Sequence, residues 1–117
     1  MIRRFDERKK EIKEKLKEGS GRVEFCHIAE SEETYSKAKM YATLTLHKGD
    51  SIGYHSHTEE EEIMLINKGV GIYKEDDVEC EVKPGDITIC QEGHFHSISN
   101  KNDEILEIIA IIIKKDA

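Results

Sequence analysis

The sequence has little cysteine, and its three thiols lack the spacing typical of metal or redox chemistry. Cys26, Cys80 and Cys90 are spread along a chain of 117 residues, and no CxxC pair occurs. None of them is therefore expected to be a nucleophile or a zinc ligand. We predict that they are reduced, buried, small hydrophobic side chains, as is usual in a cytoplasmic protein.

Long hydrophobic runs are also missing. The longest apolar stretch, residues 105–113, is interrupted by Glu107 and is shorter than the roughly 20 residues that a membrane-spanning helix needs. The first twenty residues are mostly charged, unlike a secretory signal peptide. We therefore predict a cytoplasmic protein with no membrane association.

The chain has no overall excess of positive charge, because its formal net charge is −7 at pH 7. Residues 1–18 hold eight basic and five acidic side chains, so the acidic excess lies in the rest of the chain. An acidic domain repels phosphate backbones, and we predict no nucleic-acid partner. Charges of both signs alternate in the basic segment, which is more typical of a solvated helix than of a binder of anionic surfaces.

Residues 4–18 form the one segment with a helical pattern. It contains no Ala, Gly or Pro, and acids stand four residues ahead of bases, an arrangement that supports helices. Phe5, Ile12 and Leu16 form a thin apolar stripe, and Gly19 is a natural helix end. We predict a short N-terminal α-helix in a helical extension of residues 1–20, with residues 21–117 forming a β-barrel domain.

From residue 21 onward, short apolar or alternating runs are separated by turn residues, which indicates an all-β domain. The turn at Pro84-Gly85 suits a type II turn. The predicted strands are 23–28, 39–47, 53–57, 61–67, 71–75, 78–82, 87–90, 96–100 and 105–114.

The last predicted strand is apolar without alternation, so both of its faces need cover. One face can fill the barrel interior. The other could be covered by the N-terminal helix, by the polar segment 29–38 or by a second copy of the chain. We favour a homodimer.

The clearest chemical signal is a set of histidines with an acid between them. His55 and His57 are two residues apart, so on a strand their side chains point to the same face. Glu62 follows five residues later, so the chain must bend between residues 58 and 61 to bring its carboxylate back. His96 must come from another strand. Three imidazoles and a carboxylate are typical ligands of a divalent transition metal, with Mn, Fe, Ni, Co, Zn and Cu left open.

Both histidine-containing stretches resemble the signature motifs of the cupin superfamily. The first motif is Gly, five residues, His-x-His, three or four residues, Glu, six residues, Gly; it is matched by Gly49, His55, His57, Glu62 and Gly69. The second is Gly, five residues, Pro-x-Gly, two residues, His, three residues, Asn; it is matched by Gly85, Gly93, His96 and Asn100. Gln91 stands where the family usually has Pro, which affects turn stiffness and not a ligand. Glu61 fits the shorter spacing of the first motif but puts Gly69 out of register, so Glu62 is preferred.

The resemblance implies a jelly-roll β-barrel that binds one metal ion per chain through His55, His57, Glu62 and His96, together with a small-molecule ligand. Two functions are considered, and the sequence leads us to favour the first. One is a metal-dependent enzyme, of the dioxygenase, decarboxylase or isomerase type, acting on a small polar carboxylate, keto or sugar-like molecule. The other is non-catalytic binding or sensing of such a molecule.

The group that would move protons in an enzyme is unassigned. Glu60, His94 or a tyrosine is possible. The simpler interpretation places residues 59–61 in a solvated acidic loop and His94 in the turn before His96. His27 and His47 are expected to be structural or exposed.

Overall fold

The computed structural model describes residues 1–116 as ten antiparallel strands in two sheets, with three short 3₁₀ turns. The strands are β1 (Lys10–Glu14), β2 (Arg22–His27), β3 (Ala38–Leu46), β4 (Ser51–Ser56), β5 (Glu60–Lys68), β6 (Gly71–Glu75), β7 (Val78–Val82), β8 (Ile87–Cys90), β9 (Phe95–Ser99) and β10 (Leu106–Lys114). One sheet has the order β1-β2-β3-β10-β5-β8 and the other β4-β9-β6-β7. The predicted all-β jelly-roll architecture is confirmed, and each strand predicted from residue 23 onward lies within two residues of an observed one.

The core lies between the two sheets because side chains alternate along their strands. In β3, Ala42, Leu44 and Leu46 are buried, whereas Thr43 and Thr45 between them are only half-buried. Strands β5 and β10 alternate in the same way over most of their length. This alternation fixes which face of each strand points toward the functional site.

The predicted N-terminal α-helix is wrong. Residues 5–7 and 16–18 form 3₁₀ turns, and β1 between them pairs with β2 from Lys10 opposite Cys26 to Glu14 opposite Arg22. The charge pairs that favour a helix contribute only about 0.2–0.5 kcal/mol each, and a short isolated helix is marginal. Pairing with β2 satisfies backbone groups instead, so tertiary structure overrides helix propensity.

The N-terminal segment is anchored to the sheet by Arg8. Its guanidinium donates hydrogen bonds to the carbonyl oxygens of Cys26 and His27 and to Thr43 Oγ1, at 2.7–3.0 Å. β1 is thus an edge strand of the six-stranded sheet. The boundary predicted at residues 20 and 21 stays a prediction.

The outer face of the six-stranded sheet is apolar where β10, β5 and β8 lie side by side. Ile109 and Ile111 of β10 pair with Leu65 and Ile63 of β5, which in turn pair with β8. The β10 and β5 side chains on this face are only partly buried. Ile87 and Ile89 of β8 are 61% and 51% exposed. Residues 1–116 contain no α-helix that could lie over this face.

Two turns have the chemistry expected from their residues. Asp86 N–H donates to Lys83 O around Pro84-Gly85, and Gly85 has φ of +94°, as a type II turn requires. The turn at Gln91 also closes, because His94 N–H donates to Gln91 O at 3.1 Å. Glutamine in place of the family's proline therefore leaves the turn intact.

The three cysteines are all free thiols, but they differ in burial. Cys90 is buried, Cys26 is half-buried and Cys80 is exposed. Burial raises the pKa of Cys90 to about 12, with help from the nearby carboxylates of Glu75, Glu62 and Asp76. The expectation of buried thiols is thus confirmed for Cys90 and wrong for Cys80. Among residues 1–116, no helix is long and apolar enough to cross a membrane.

Candidate metal centre

His55 and His96 meet across two neighbouring strands of the four-stranded sheet. They are paired in register, one near the end of β4 and the other near the start of β9. Their ring centroids are 4.8 Å apart. Antiparallel pairing therefore joins the two predicted motifs at one point.

The turn between β4 and β5 brings His57 and Glu62 to the same place. Glu59 in this turn has a left-handed backbone with φ of +60°, and its N–H donates to Glu92 Oε2 at 2.6 Å. Glu62 then lies on β5, in the other sheet, and is 4% exposed. The predicted bend between residues 58 and 61 is confirmed, and the cluster spans both sheets.

The four side chains converge. His57 Nε2 lies 3.1 Å from both Glu62 Oε1 and His96 Nε2, and His96 Nε2 is also 3.1 Å from Glu62 Oε1. With a ligand atom of His55, the four groups lie within 4.8 Å of one another. Donor atoms about 3 Å apart are spaced like neighbouring ligands on an ion with bonds of about 2.1 Å. The residues fit a transition-metal site.

Each histidine points Nδ1 toward a hydrogen-bond partner outside the cluster: Gly53 O for His55 at 2.6 Å, Glu60 Oε2 for His57 at 2.7 Å and Tyr73 Oη for His96 at 3.0 Å. The carbonyl and the carboxylate can only accept, so Nδ1 of His55 and of His57 carries a proton. Such contacts set the tautomer of metal-binding histidines and leave Nε2 for the ion.

This hydrogen bonding leaves the centre of the cluster in need of positive charge. His57 Nε2 faces the carboxylate of Glu62 while Nδ1 already holds a proton. Two acceptor atoms at 3.1 Å repel each other unless a cation lies between them. Either a second proton on the His57 ring or a metal ion would supply this positive charge. Only a metal ion would also bind His55 and His96.

The electrostatics of the cluster follow from the same contacts. The hydrogen bond to Glu62 raises the pKa of His57, whereas burial lowers the pKa of His55. Burial by itself would raise the pKa of Glu62, but its close contacts with the imidazoles of His57 and His96 outweigh burial and hold the pKa at about 2. Glu62 is therefore a carboxylate at neutral pH, as a metal ligand must be.

His55, His57 and Glu62 of the cluster line a cavity of about 410 Å³. Apolar side chains of both sheets line it, and three lysines, Lys13, Lys17 and Lys39, add positive charge. Lys39 is paired with Glu60 at 3.0 Å, whereas Lys13 Nζ lies over the Phe25 ring, 4.7 Å from its centroid. A volume of this size suits a small molecule.

The structure also places the other sequence candidates. Glu60 is not a solvated loop residue, because it lines the cavity and joins His57 to Lys39. Burial would raise its pKa, but those two partners lower it. Glu61 is only half-buried on β5 and lies outside the four-residue cluster.

His94 lies apart from the cavity and forms an exposed pair with Asp76. This hydrogen bond raises the pKa of His94 and lowers that of Asp76. His47 is exposed beside Glu24, and His27 contacts Glu11, as expected of structural or surface histidines.

Sequence reasoning missed two contributors to the site. One is Tyr73, whose buried hydroxyl contacts His96; only the pairing of β6 with β9 brings them together. The other is the N-terminal segment, whose Lys13, Leu16 and Lys17 line the cavity. A correct assignment of β1 would have been needed to find it.

Comparison with known proteins bears on the same residues. The family model described as a cupin domain matches residues 42–112, which include all four clustered side chains. The chain belongs to the cupin family. It is also similar to an oxalate-binding protein of Thermotoga maritima, with 35% sequence identity over 84% of this chain and 81% of the relative.

Solved structures agree on this cupin fold. A Thermotoga maritima protein whose crystal structure was described as that of a "predicted oxalate decarboxylase" superposes with a TM-score of 0.92 at 33% identity, over 97% of this chain and 99% of the other. The cupin domain of Cnp3 from Schizosaccharomyces pombe has a TM-score of 0.71 at 12% identity, over 89% and 68% of the two chains. The latter likeness concerns the fold alone.

Proposed function

We propose that this cupin binds a small dicarboxylate of the oxalate class through a metal ion held by His55, His57, Glu62 and His96. The carrying observation is the convergence of these four donor groups, three of which line a cavity that also holds lysines. A bound divalent ion would supply positive charge and open positions for carboxylate oxygens. The protein supplies the ligands, the enclosure and a cationic wall.

The cavity lining supports an anionic ligand. Lys13 and Lys17 have no carboxylate partner among residues 1–116, so their charge is available to a ligand. The three carboxylates in the lining are already engaged: Glu11 by His27, Glu60 by His57 and Lys39, and Glu62 within the cluster. A small dianion complements this arrangement.

The names of the relatives support the same ligand class. One relative at 35% identity is called an oxalate-binding protein, and a structural neighbour at 33% identity a predicted oxalate decarboxylase. Because fold alone does not imply function, the ligand class is inferred from these names together with the cavity lining. They make oxalate the first ligand to try.

Catalysis is the second candidate. Decarboxylation or oxygen-dependent chemistry would need a group that moves protons. Of the three groups suggested for this role, Glu60 lines the cavity. His94 pairs with Asp76 at the surface, and the cavity lining includes no tyrosine. Because both oxygens of Glu60 already have partners, we favour binding over turnover.

Elemental analysis followed by titration tests the proposal. Protein purified without an affinity tag or chelator should carry about one transition-metal ion per chain, or take one up when Mn, Fe, Co, Ni, Zn and Cu are offered in turn. Isothermal titration calorimetry should then give oxalate binding in loaded protein and none in chelated protein. Equal binding by both forms would contradict the proposal, and steady release of formate or carbon dioxide would favour the enzyme.

We also propose that the protein is a homodimer joined through the apolar outer face of the six-stranded sheet. Ile63, Leu65, Ile109 and Ile111, with the exposed Ile87 and Ile89, form a continuous set across three paired strands. A second copy is the simplest cover for a self-complementary face of this kind. A cytoplasmic location stays a prediction that rests on the sequence.

A further inference from the structure

Behind the metal-binding cluster, a buried hydroxyl contacts one of the proposed ligands. Tyr73 lies on β6, the strand next to β9, and is 5% exposed. Its Oη is 3.0 Å from His96 Nδ1 and 2.7 Å from Glu75 Oε1. His96 itself is 1% exposed, and its Nε2 faces the cluster.

The chemistry of the three groups sets the direction of this hydrogen-bond chain. A phenol has one proton to donate, and the Glu75 carboxylate can only accept it. The oxygen of Tyr73 is then left to accept a proton from His96 Nδ1. The proton on Nδ1 leaves the lone pair of His96 on Nε2, the atom that faces Glu62 and His57.

We propose that Tyr73, held by Glu75, is a positioning residue that fixes both the ring orientation and the tautomer of His96 for metal binding. This role rests on the metal centre of the proposed function. The Tyr73–His96 contact differs from the Nδ1 contacts of the other two histidines. His55 contacts the backbone oxygen of Gly53, and His57 contacts Glu60 in the cavity wall. Tyr73 is not part of the cavity lining.

Removing the hydroxyl isolates its effect. Tyr73→Phe keeps the ring in the core but leaves Nδ1–H of His96 buried without its acceptor, and loss of such an outer partner typically weakens metal binding by ~10–100-fold. Glu75→Gln keeps an acceptor oxygen while removing the charge, so a smaller loss is expected. Tyr54→Phe is the matched control, because Tyr54 is 41% exposed and stacks on Phe95.

Three readouts separate positioning from a structural role. Competition with a chromophoric chelator gives the zinc affinity of each variant, and thermal unfolding of metal-free protein reports stability. Long-range ¹H–¹⁵N spectra of the imidazoles give the tautomer of His96. We expect the parent protein to carry the proton on Nδ1 and Tyr73→Phe to lose zinc affinity while Tyr54→Phe does not.

Several results would overturn the positioning role. Zinc affinity of folded Tyr73→Phe within threefold of the parent would do so, as would a parent spectrum with the His96 proton on Nε2. If Tyr73→Phe does not fold, unchanged zinc affinity in Glu75→Gln contradicts the proposal instead. A parent protein that takes up no metal would show that the metal centre itself is wrong, and the positioning role would fall with it.

Discussion

Gly53 lies so close to the carbonyl oxygen of Lys17 that a Cβ atom on Gly53 would be 1.9 Å from it. The two segments are equally close at Gly19, where an added Cβ atom would be 2.3 Å from Ser51 O. The 3₁₀ turn of residues 16–18 is therefore seated directly on β4, the strand that carries His55. This close approach places Leu16 and Lys17 in the wall of the cavity beside the four-residue cluster.

Gly53→Ala should push this turn away from β4. The added methyl group meets backbone, which cannot yield as a flexible side chain can, and overpacking of this kind typically costs about 1–3 kcal/mol. We expect a lower thermal unfolding midpoint and faster proteolysis of residues 1–20. Gly85→Ala is the comparison, because open space surrounds it and only its positive φ is penalised. Equal stability of Gly53→Ala and the parent would contradict the tight packing.

His57→Ala should remove most of the bound metal and leave the fold in place. The variant loses one donor atom from the centre of the cluster, while the apolar core between the sheets is untouched. Metal content measured by elemental analysis should fall from about one ion per chain to a small fraction of that. His47→Ala, at an exposed histidine beside Glu24, should keep its metal. Unchanged metal content in His57→Ala would disprove the site.

Metal binding should weaken as the pH falls. The pKa of His57 is raised above its usual value of 6.5 by Glu62, so below that raised pKa the ring holds a second proton that the ion must displace. The loss of affinity should therefore begin above pH 6.5 and grow toward pH 5.5. Chelator competition at a series of pH values and constant ionic strength checks this. Affinity independent of pH between 8.5 and 5.5 would rule it out.

Lys13→Gln should weaken oxalate binding without changing metal content. Removing one partly solvated charge from the cavity wall is expected to cost ~0.5–1 kcal/mol, or about 2–5-fold in affinity. The difference should shrink at high salt because exposed charges are screened. Lys101→Gln, in the loop between β9 and β10, serves as the charge-matched control. Calorimetry showing the same oxalate affinity for both variants would argue against a cationic wall.

Ile111→Glu should weaken the proposed dimer. Ile111 lies on the outer face of β10, where it pairs with Tyr41 on one side and Ile63 on the other. A charge there would be buried in a two-fold interface, at a cost of several kcal/mol unless it is paired. Sedimentation velocity should show monomer or a concentration-dependent mixture, whereas Ile111→Leu should resemble the parent. A stable, folded Ile111→Glu dimer would place the interface elsewhere.

Much of the barrel could be predicted because its strands carry local signals. β6, β7 and β8 agree with the predicted bounds residue for residue, since alternation and turn residues such as Pro84-Gly85 act within a few positions. The bend before Glu62 also followed from counting, because an odd offset from His57 puts a side chain on the opposite face. The prediction for the N-terminal segment was wrong because its helical pattern competes with pairing to β2, and that pairing depends on residues distant in the sequence.

The amino-acid sequence by itself determined the all-β class, the alternating core, the four candidate ligand residues and the apolar outer face of β10. Each of these follows from residue type and spacing along the chain. Only the tertiary structure decided that Tyr73 supports His96, that Glu60 joins His57 to Lys39, and that Lys13 and Lys17 line the cavity. These contacts join different strands or segments, and their geometry depends on sheet order and register, which single-strand patterns do not specify.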